Sequence, residues 1–250
     1  MIAVTEFIGV IGKEFPADRL TFQKSVPTFH PENANEAARF MKLANSSKQA
    51  VFITGFGNNI DPAGEPFTNM VTIRTDRLNN LISIEPEDFY VRVGAGYPLR
   101  ELSQHLAKSN LFTPHATLPY VGSVGGAIAV NLKGNLGKRA LPIKKYLLEA
   151  EIVTPQGEII TPGSVCFKSV SGYDIVKLWA SSWGLLGLLV TVCLRVMPSS
   201  AAEEFAGLAM QKIDREKFLS GLSETNSGVD GLYSRKIKEK FDPQNILPIV

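Results

Sequence analysis

The sequence predicts an α+β fold, and three observations carry that expectation. Short β-type runs punctuated by turn residues recur between residues 50 and 196, and segments with helical periodicity stand between them. Two glycine-rich loops complete the pattern, TGFGNN at 54–59 and LPYVGSVGGAIAVN at 118–131, the second being the stretch around which the rest is arranged. With 250 residues and 44% hydrophobic content, the chain can bury a substantial core as one large domain or two unequal ones.

Residues 1–26 are mixed and read as a strand or helix that caps the adjoining domain. In HPENANEAARFMKLANSSK, Pro31 and Glu32 mark a helix start, Ala34, Ala37, Ala38, Met41 and Leu43 form a small apolar face, and Asn45-Ser46-Ser47 ends it. Ala50 to Ile53 is a β-type run that enters the first glycine loop, and DPAGEP at 61–66 reads as a surface turn. Three further β-type runs come next, Met70 to Arg74, Leu81 to Ile84 and Phe89 to Val93. Gly94-Ala95-Gly96 then opens a helix with Leu99, Leu102 and Leu106 on one face and Asn110 as its cap. A dinucleotide-binding reading of this GxG fails, because position 99 is leucine and no acidic residue stands about 20 residues on.

Beyond the central stretch, the lysines and arginine between Leu132 and Lys145 read as a solvated charge run. Leu147 to Thr154, the turn Pro155 to Glu158, and Ile159-Ile160 form a hairpin. A short helical pattern starts at Asp174, and Gly184 and Gly187 release into a strand from Leu188 to Val196. Pro198 to Ala202 is the candidate domain boundary. After it stand a strand over Phe205 to Met210, a helix from about Asp214 to Leu222, and a basic segment from Tyr233 to Phe241.

The composition narrows the function classes. Lys plus Arg number 26 against 24 acidic residues, so the net charge of +2 gives no nucleic-acid footprint. Cys166 and Cys193 form no metal motif; they fit a reducing, cytoplasmic setting and leave one disulfide open. The amino-terminal stretch lacks the pattern of a signal peptide, and the apolar run Trp183 to Leu194 is too short to span a bilayer, so no membrane anchor is expected.

Both glycine loops can bring backbone N–H groups close to an anionic ligand, because few Cβ atoms stand in the way. A helix beginning near Val124 adds its positive end to the second loop. The plain alternative for each loop is a tight turn packed on a sheet. Among the histidines, His30 reads as a helix-entry cap and His105 as a helix-surface residue, while His115 is the one placed to meet a ligand. Tyr173 and Asp174 read as sheet anchors and Trp179 as core; Trp183 is either core or a ligand-facing ring. No serine–histidine–aspartate set or metal cluster is visible, and no catalytic residue is assigned.

In order and spacing, TGFGNN, VRVGAGYPLRELSQHL at 91–106, LPYVGSVGGAIAVN, LLEAEIVTPQGEII at 147–160 and SGYDIVKLWASSWGLLGLLVTVCLRVMP at 171–198 resemble the flavin-binding domain of the vanillyl-alcohol oxidase family, the PCMH type. The closing motif, and IKEKFDPQNILP at 237–248, are similar to the E-type subunits of glycolate oxidases within that family. The resemblance implies two α/β subdomains, roughly 27–86 and 87–200, within an FAD-binding domain over 1–200. Residues 201–250 stand as a short segment where the family has a substrate-covering cap.

It also implies FAD on both loops. Thr54, Gly55, Phe56, Gly57, Asn58 and Asn59 would serve from one side, and Pro119, Gly122, Ser123, Gly125, Gly126 and Asn131 from the other. Gly122, Ser123, Gly125 and Gly126 are expected to donate amides, and Ile159 and Ile160 to meet the adenine through their backbone. Covalent members carry a histidine in the first loop or a cysteine in the second; neither is present, so the flavin is expected to be non-covalent. The implied role is an FAD-binding subunit of a multi-subunit 2-hydroxy-acid dehydrogenase or oxidase, glycolate- or lactate-like, with a larger flavoprotein subunit and an iron–sulfur subunit as partners. The chain departs from the family at Phe56, which replaces a loop glycine, at Thr54, where arginine is frequent, and at Asn58 and Asn59, where small hydroxyl residues are common. These departures favour the alternative of a flavin-free scaffold or regulatory subunit. A third reading is a free-standing small oxidoreductase.

Overall fold

The computed structural model describes residues 4–60, 62, 64, 67–165, 174–223 and 228–250. The chain opens with α1 (Val4–Glu14), which buries Phe7 and Ile11, and an antiparallel hairpin of β1 (Leu20–Gln23) and β2 (Val26–Phe29). Helix α2 (Ala34–Ser47) starts two residues later than Pro31 and Glu32 suggest. Asn33 is its cap, accepting a hydrogen bond from the Glu36 N–H at 2.9 Å. Asn45 to Ser47 form its last turn, as expected, and Lys48 closes it in a left-handed conformation at φ 53°.

Strands β3 (Val51–Thr54) and β4 (Val71–Arg74) pair in parallel, and β4 also runs parallel to β2, giving a four-stranded sheet in the order β1-β2-β4-β3. Its apolar face meets α1 and α2, where Phe29 stacks on Phe40 and Phe7 meets Phe40 edge-on. Part of the turn expected at 61–66 lies outside the described residues.

The second unit is a five-stranded antiparallel sheet. Strands β5 (Leu81–Glu85) and β6 (Tyr90–Gly94) form a hairpin, after which α3 (Leu99–Lys108) buries Leu99, Leu102 and Leu106 as its periodicity predicts. Gly94 and Gly96 pass so close to the 75–78 turn that a Cβ would stand 2.1 Å from the Leu78 oxygen and 1.8 Å from the Thr75 oxygen. Close backbone approach, rather than dinucleotide binding, is why this GxG is glycine.

Strand β7 (Leu111–Phe112) leads to α4 (Val124–Ala129), and the basic run after it is built on a hairpin, β8 (Lys133–Leu136) and β9 (Arg139–Pro142), with Lys138, Arg139, Lys144 and Lys145 exposed as a solvated charge run should be. Strands β10 (Leu147–Val153), β11 (Ile159–Ile160) and β12 (Leu188–Arg195) complete the order β11-β10-β12-β6-β5. One face of this sheet holds the larger core with α3, α4 and Trp179. From the other, Val153, Leu188 and Val190 join the core of the first sheet.

The carboxy-terminal residues turn back over both units. β13 (Met197–Pro198) pairs with β7, a 3-10 turn ends at Phe205 where the expected strand would begin, and only β14 (Ala209–Met210) is extended, pairing with β8. Helices α5 (Arg215–Leu222) and α6 (Val229–Phe241) come next, with Phe241 edge-on to Trp179. Ile246 and Leu247 are buried in the first core, and the Ile246 oxygen accepts a hydrogen bond from the Val51 N–H at 2.7 Å. Asp242, itself buried, accepts from the Ile246 and Leu247 amides and from Lys238, which anchors this return.

Candidate binding cleft between two glycine loops

Parallel pairing of β3 with β4 aims the chain leaving Thr54 toward the second sheet, and the antiparallel β6–β12 pairing brings Ala95 to meet it. The cleft between them is lined by Thr54 to Ile60 on one side and by Tyr120, Gly122, Ser123, Gly125, Gly126, Ala129 and Val130 on the other. Ser182 to Gly184 and Gly187 to Leu189 close its remaining wall. The loops touch: a Cβ on Gly55 would stand 2.7 Å from the Ser123 Oγ. Gly57 is left-handed at φ 79°, a conformation that side-chain-bearing residues adopt at a cost.

The two loops contribute differently. Among the described residues, the N–H groups of Gly55 to Asn59 have no protein acceptor, nor do those of Gly122 and Ser123. The Gly125 N–H is committed to the Ala95 oxygen at 2.7 Å and the Gly126 N–H to the Ser123 Oγ at 3.1 Å, so these two glycines are not the free donors expected of them. They serve by lacking side chains. A Cβ on Gly125 would lie 2.7 Å from the Ala95 Cβ and 2.9 Å from its oxygen, and one on Gly126 would lie 3.0 Å from the Tyr120 hydroxyl.

An asparagine side chain bridges the loops: Asn58 Nδ2 donates to the Val121 oxygen. Asn59 stands near the hydroxyl of Tyr120, whose burial pushes its pKa up to about 12. Among the described residues no charged side chain lines the cleft. An anion there would be met by oriented amide dipoles, as in backbone anion nests. Arg74, which sequence reading passed over, reaches the back of the first loop and donates to the Phe56 oxygen at 3.2 Å. Its other contacts, with Gln23 and Asp76, turn it away from the cleft and make it a brace for the loop.

Other expected residues lie elsewhere. Pro119 is exposed and outside the lining; Asn131 is buried beside an adjoining recess; Ile159 and Ile160 sit on the edge strand β11, away from the cleft. His115 is fully buried and outside the lining, with Nε2 donating to the Leu141 oxygen at 2.9 Å; burial lowers its pKa to about 4. A ligand-facing role for His115 is therefore excluded by position. His30 is not the helix cap: its ring bridges Thr21 and Asp76 at 2.8 Å each. His105 pairs with the Tyr97 hydroxyl at 2.9 Å.

Trp183 does line the cleft. It takes φ 52°, its backbone N–H donates to the Ala129 oxygen at the end of α4, and its ring stacks on Phe218 at 5.6 Å. Tyr173 and Cys166 lie outside the described residues, while Cys193 is buried with its thiol pushed up to about 12 by desolvation, a structural sulfur. Among the described residues no acidic, cysteine or histidine cluster could hold a metal, and no helix is long and apolar enough to cross a membrane.

A family model described as an FAD binding domain matches residues 27–163. Curated relatives include a D-lactate dehydrogenase of Anaerostipes hadrus, 27% identical over 76% of this chain and 40% of its own length. Glycolate oxidase subunit GlcD of Escherichia coli is 26% identical over the same shares of the two chains. Among solved structures, an alkyldihydroxyacetonephosphate synthase aligns with a TM-score of 0.62 at 20% identity, covering 78% of this chain and 40% of its own. The chain thus spans about two fifths of the length of the curated relatives it matches.

Proposed function

The chain belongs to the FAD binding domain family, and from that premise we propose that it is the FAD-binding subunit of a multi-subunit 2-hydroxy-acid dehydrogenase or oxidase, with its flavin held non-covalently. One observation carries the cofactor assignment: two glycine loops face each other across a cleft, and their outward amides lack protein acceptors among the described residues. The residues present fit the group. Gly55 to Asn59, with Gly122 and Ser123, would hold the diphosphate, while Gly125 and Gly126 keep the floor of the cleft free of side chains.

When bound, FAD supplies the redox chemistry, and the protein supplies its position and surroundings. No histidine or cysteine lines the cleft among the described residues, which supports non-covalent retention. The relatives named for D-lactate and glycolate support a small 2-hydroxy acid as substrate, and the name of the GlcD subunit supports assembly with further chains; the partners in this proposal are a larger flavoprotein and an iron–sulfur subunit. In this reading residues 1–200 are the FAD-binding domain, with subdomains near 27–86 and 87–200, and residues 201–250 stand in place of a substrate domain. The proposed setting is cytoplasmic, with partners as a route to membrane association.

The flavin-free scaffold remains the competing reading, favoured by the Asn58 bridge that already joins the loops and by Phe56 within the lining. The visible absorption spectrum of the purified chain separates the two. Flavin bands that move to the supernatant on acid precipitation are expected; a colourless chain that takes up no added FAD would leave the scaffold reading in possession.

A further inference from the structure

Beside the cleft lies a second recess of about 230 Å³, made half by the flavin-binding unit and half by the carboxy-terminal segment. The β14–β8 pairing and the bond from the Gln211 N–H to the Lys133 oxygen, 2.8 Å, draw the chain over the end of α4. The stack of Phe218 on Trp183 closes the far side. Val130 and Trp183 line both this recess and the cleft, so the two spaces adjoin.

Its chemistry is that of an anion site. Lys133, Lys212 and Lys217 line it, and none forms an ion pair among the described residues. The single carboxylate in the described lining, Asp214, caps α5 by accepting from the Lys217 N–H at 2.9 Å. At its base Asn131 is only 4% exposed, and its Oδ1 accepts from the Lys144 N–H at 3.3 Å. That bond occupies Oδ1 and leaves Nδ2, which has no protein acceptor among the described residues, as a free donor of a residue that lines the recess. An amide donor without a protein partner beside ammonium groups that form no ion pair suits a ligand that brings its own acceptors and negative charge.

We propose that this recess binds the carboxylate of a small acid substrate, with Lys133, Lys217 and Asn131 as its contacts, and that the carboxy-terminal segment thereby supplies the substrate side. The proposal rests on the flavin reading for its meaning but not for its test. The volume greatly exceeds the ~15 Å³ one water needs and accommodates a two- or three-carbon hydroxy acid.

Saturation-transfer NMR on the full chain, with and without added FAD, tests it using glycolate, D-lactate, the neutral 1,2-propanediol and inorganic phosphate as competitor. Transfer to both acids but not to the diol is expected, with affinity falling about tenfold in Lys217→Met and again in Lys133→Met, since a hydrogen bond to a charged group is lost each time. Lys217→Arg should restore most of the binding. FAD uptake, read by absorbance, should be unchanged in these variants. No transfer to either acid, transfer that persists in the double variant, or preference for phosphate over both acids would each overturn the proposal. Acid binding without FAD uptake would remove the flavin reading and leave the recess; FAD uptake without acid binding would do the reverse.

Discussion

Gly125 fixes how closely α4 approaches the strand that ends at Gly94. Its N–H bonds the Ala95 oxygen, and any Cβ would meet Ala95 backbone that cannot turn aside. Gly125→Ala should therefore cost ~1–3 kcal/mol from overpacking and lift the second loop from the first. The expected result is loss of FAD from the purified chain, measured by absorbance, with a lowered melting temperature. Retention of stoichiometric FAD would show that the loop spacing does not depend on this contact.

His115 makes a pH-dependent contribution. Its folded pKa is lowered to about 4 by burial, whereas the unfolded chain titrates near 6.5, so between these values the unfolded state binds more protons. Stability is then full above pH 6.5 and is lost as pH falls toward 4, leaving at pH 5 a deficit of about 2 kcal/mol. Urea unfolding at pH 7 and pH 5 should show that loss in the parent chain and a smaller one in His115→Gln. An equal loss in both would assign the acid sensitivity to other groups. His115 also shows a limit of sequence reading. Proximity in sequence to the glycine stretch suggested a ligand role, but the 3-10 turn at Pro114–Thr117 directs the imidazole inward against Tyr146. The glycines were legible because close approach leaves no other residue possible; which amides remained free depended on Ala95 and Ser123, which no local pattern reveals.

Among the elements, strands and helices with clean periodicity were readable to within a residue or two, as with β4, β6, α3 and β12. The β8–β9 hairpin was not, since its lysines and glycine mask any alternation and its pairing with β14 comes from far along the chain. Helix α2 was readable, but its start was set by Asn33 rather than by the proline before it, because a side-chain acceptor for the Glu36 N–H outweighs a favourable backbone angle. Asn33→Ala should cost ~1 kcal/mol, a fall of about 2–4 °C in melting temperature. No shift in a calorimetric scan would mean that packing on the first sheet alone defines that end.

At the scale of the whole molecule, the main departure from the expected plan is the course of residues 201–250. Too short for a core of their own, they use cores that already exist: Phe205 against Phe112, Phe218 on Trp183, Phe241 against Trp179, and Ile246 and Leu247 within the first sheet's cluster. Length shows that such a segment is too small to stand alone, but not where it docks, since docking depends on surfaces built elsewhere. Ending the chain at residue 200 should remove roughly 3–6 kcal/mol from Ile246 and Leu247 alone, a drop of about 10 °C or more. A truncated chain that melts like the full one would mark 1–200 as an autonomous domain.

Burying Leu247 in the cluster that also holds Phe7 and Ile11 orders events in folding. The first hydrophobic cluster joins residues widely separated in sequence, so its closure carries the loop entropy of that separation and follows the local pairing of hairpins and helices. The Asp242 carboxylate, which accepts from the Ile246 and Leu247 amides, holds that long-range contact closed once it has formed.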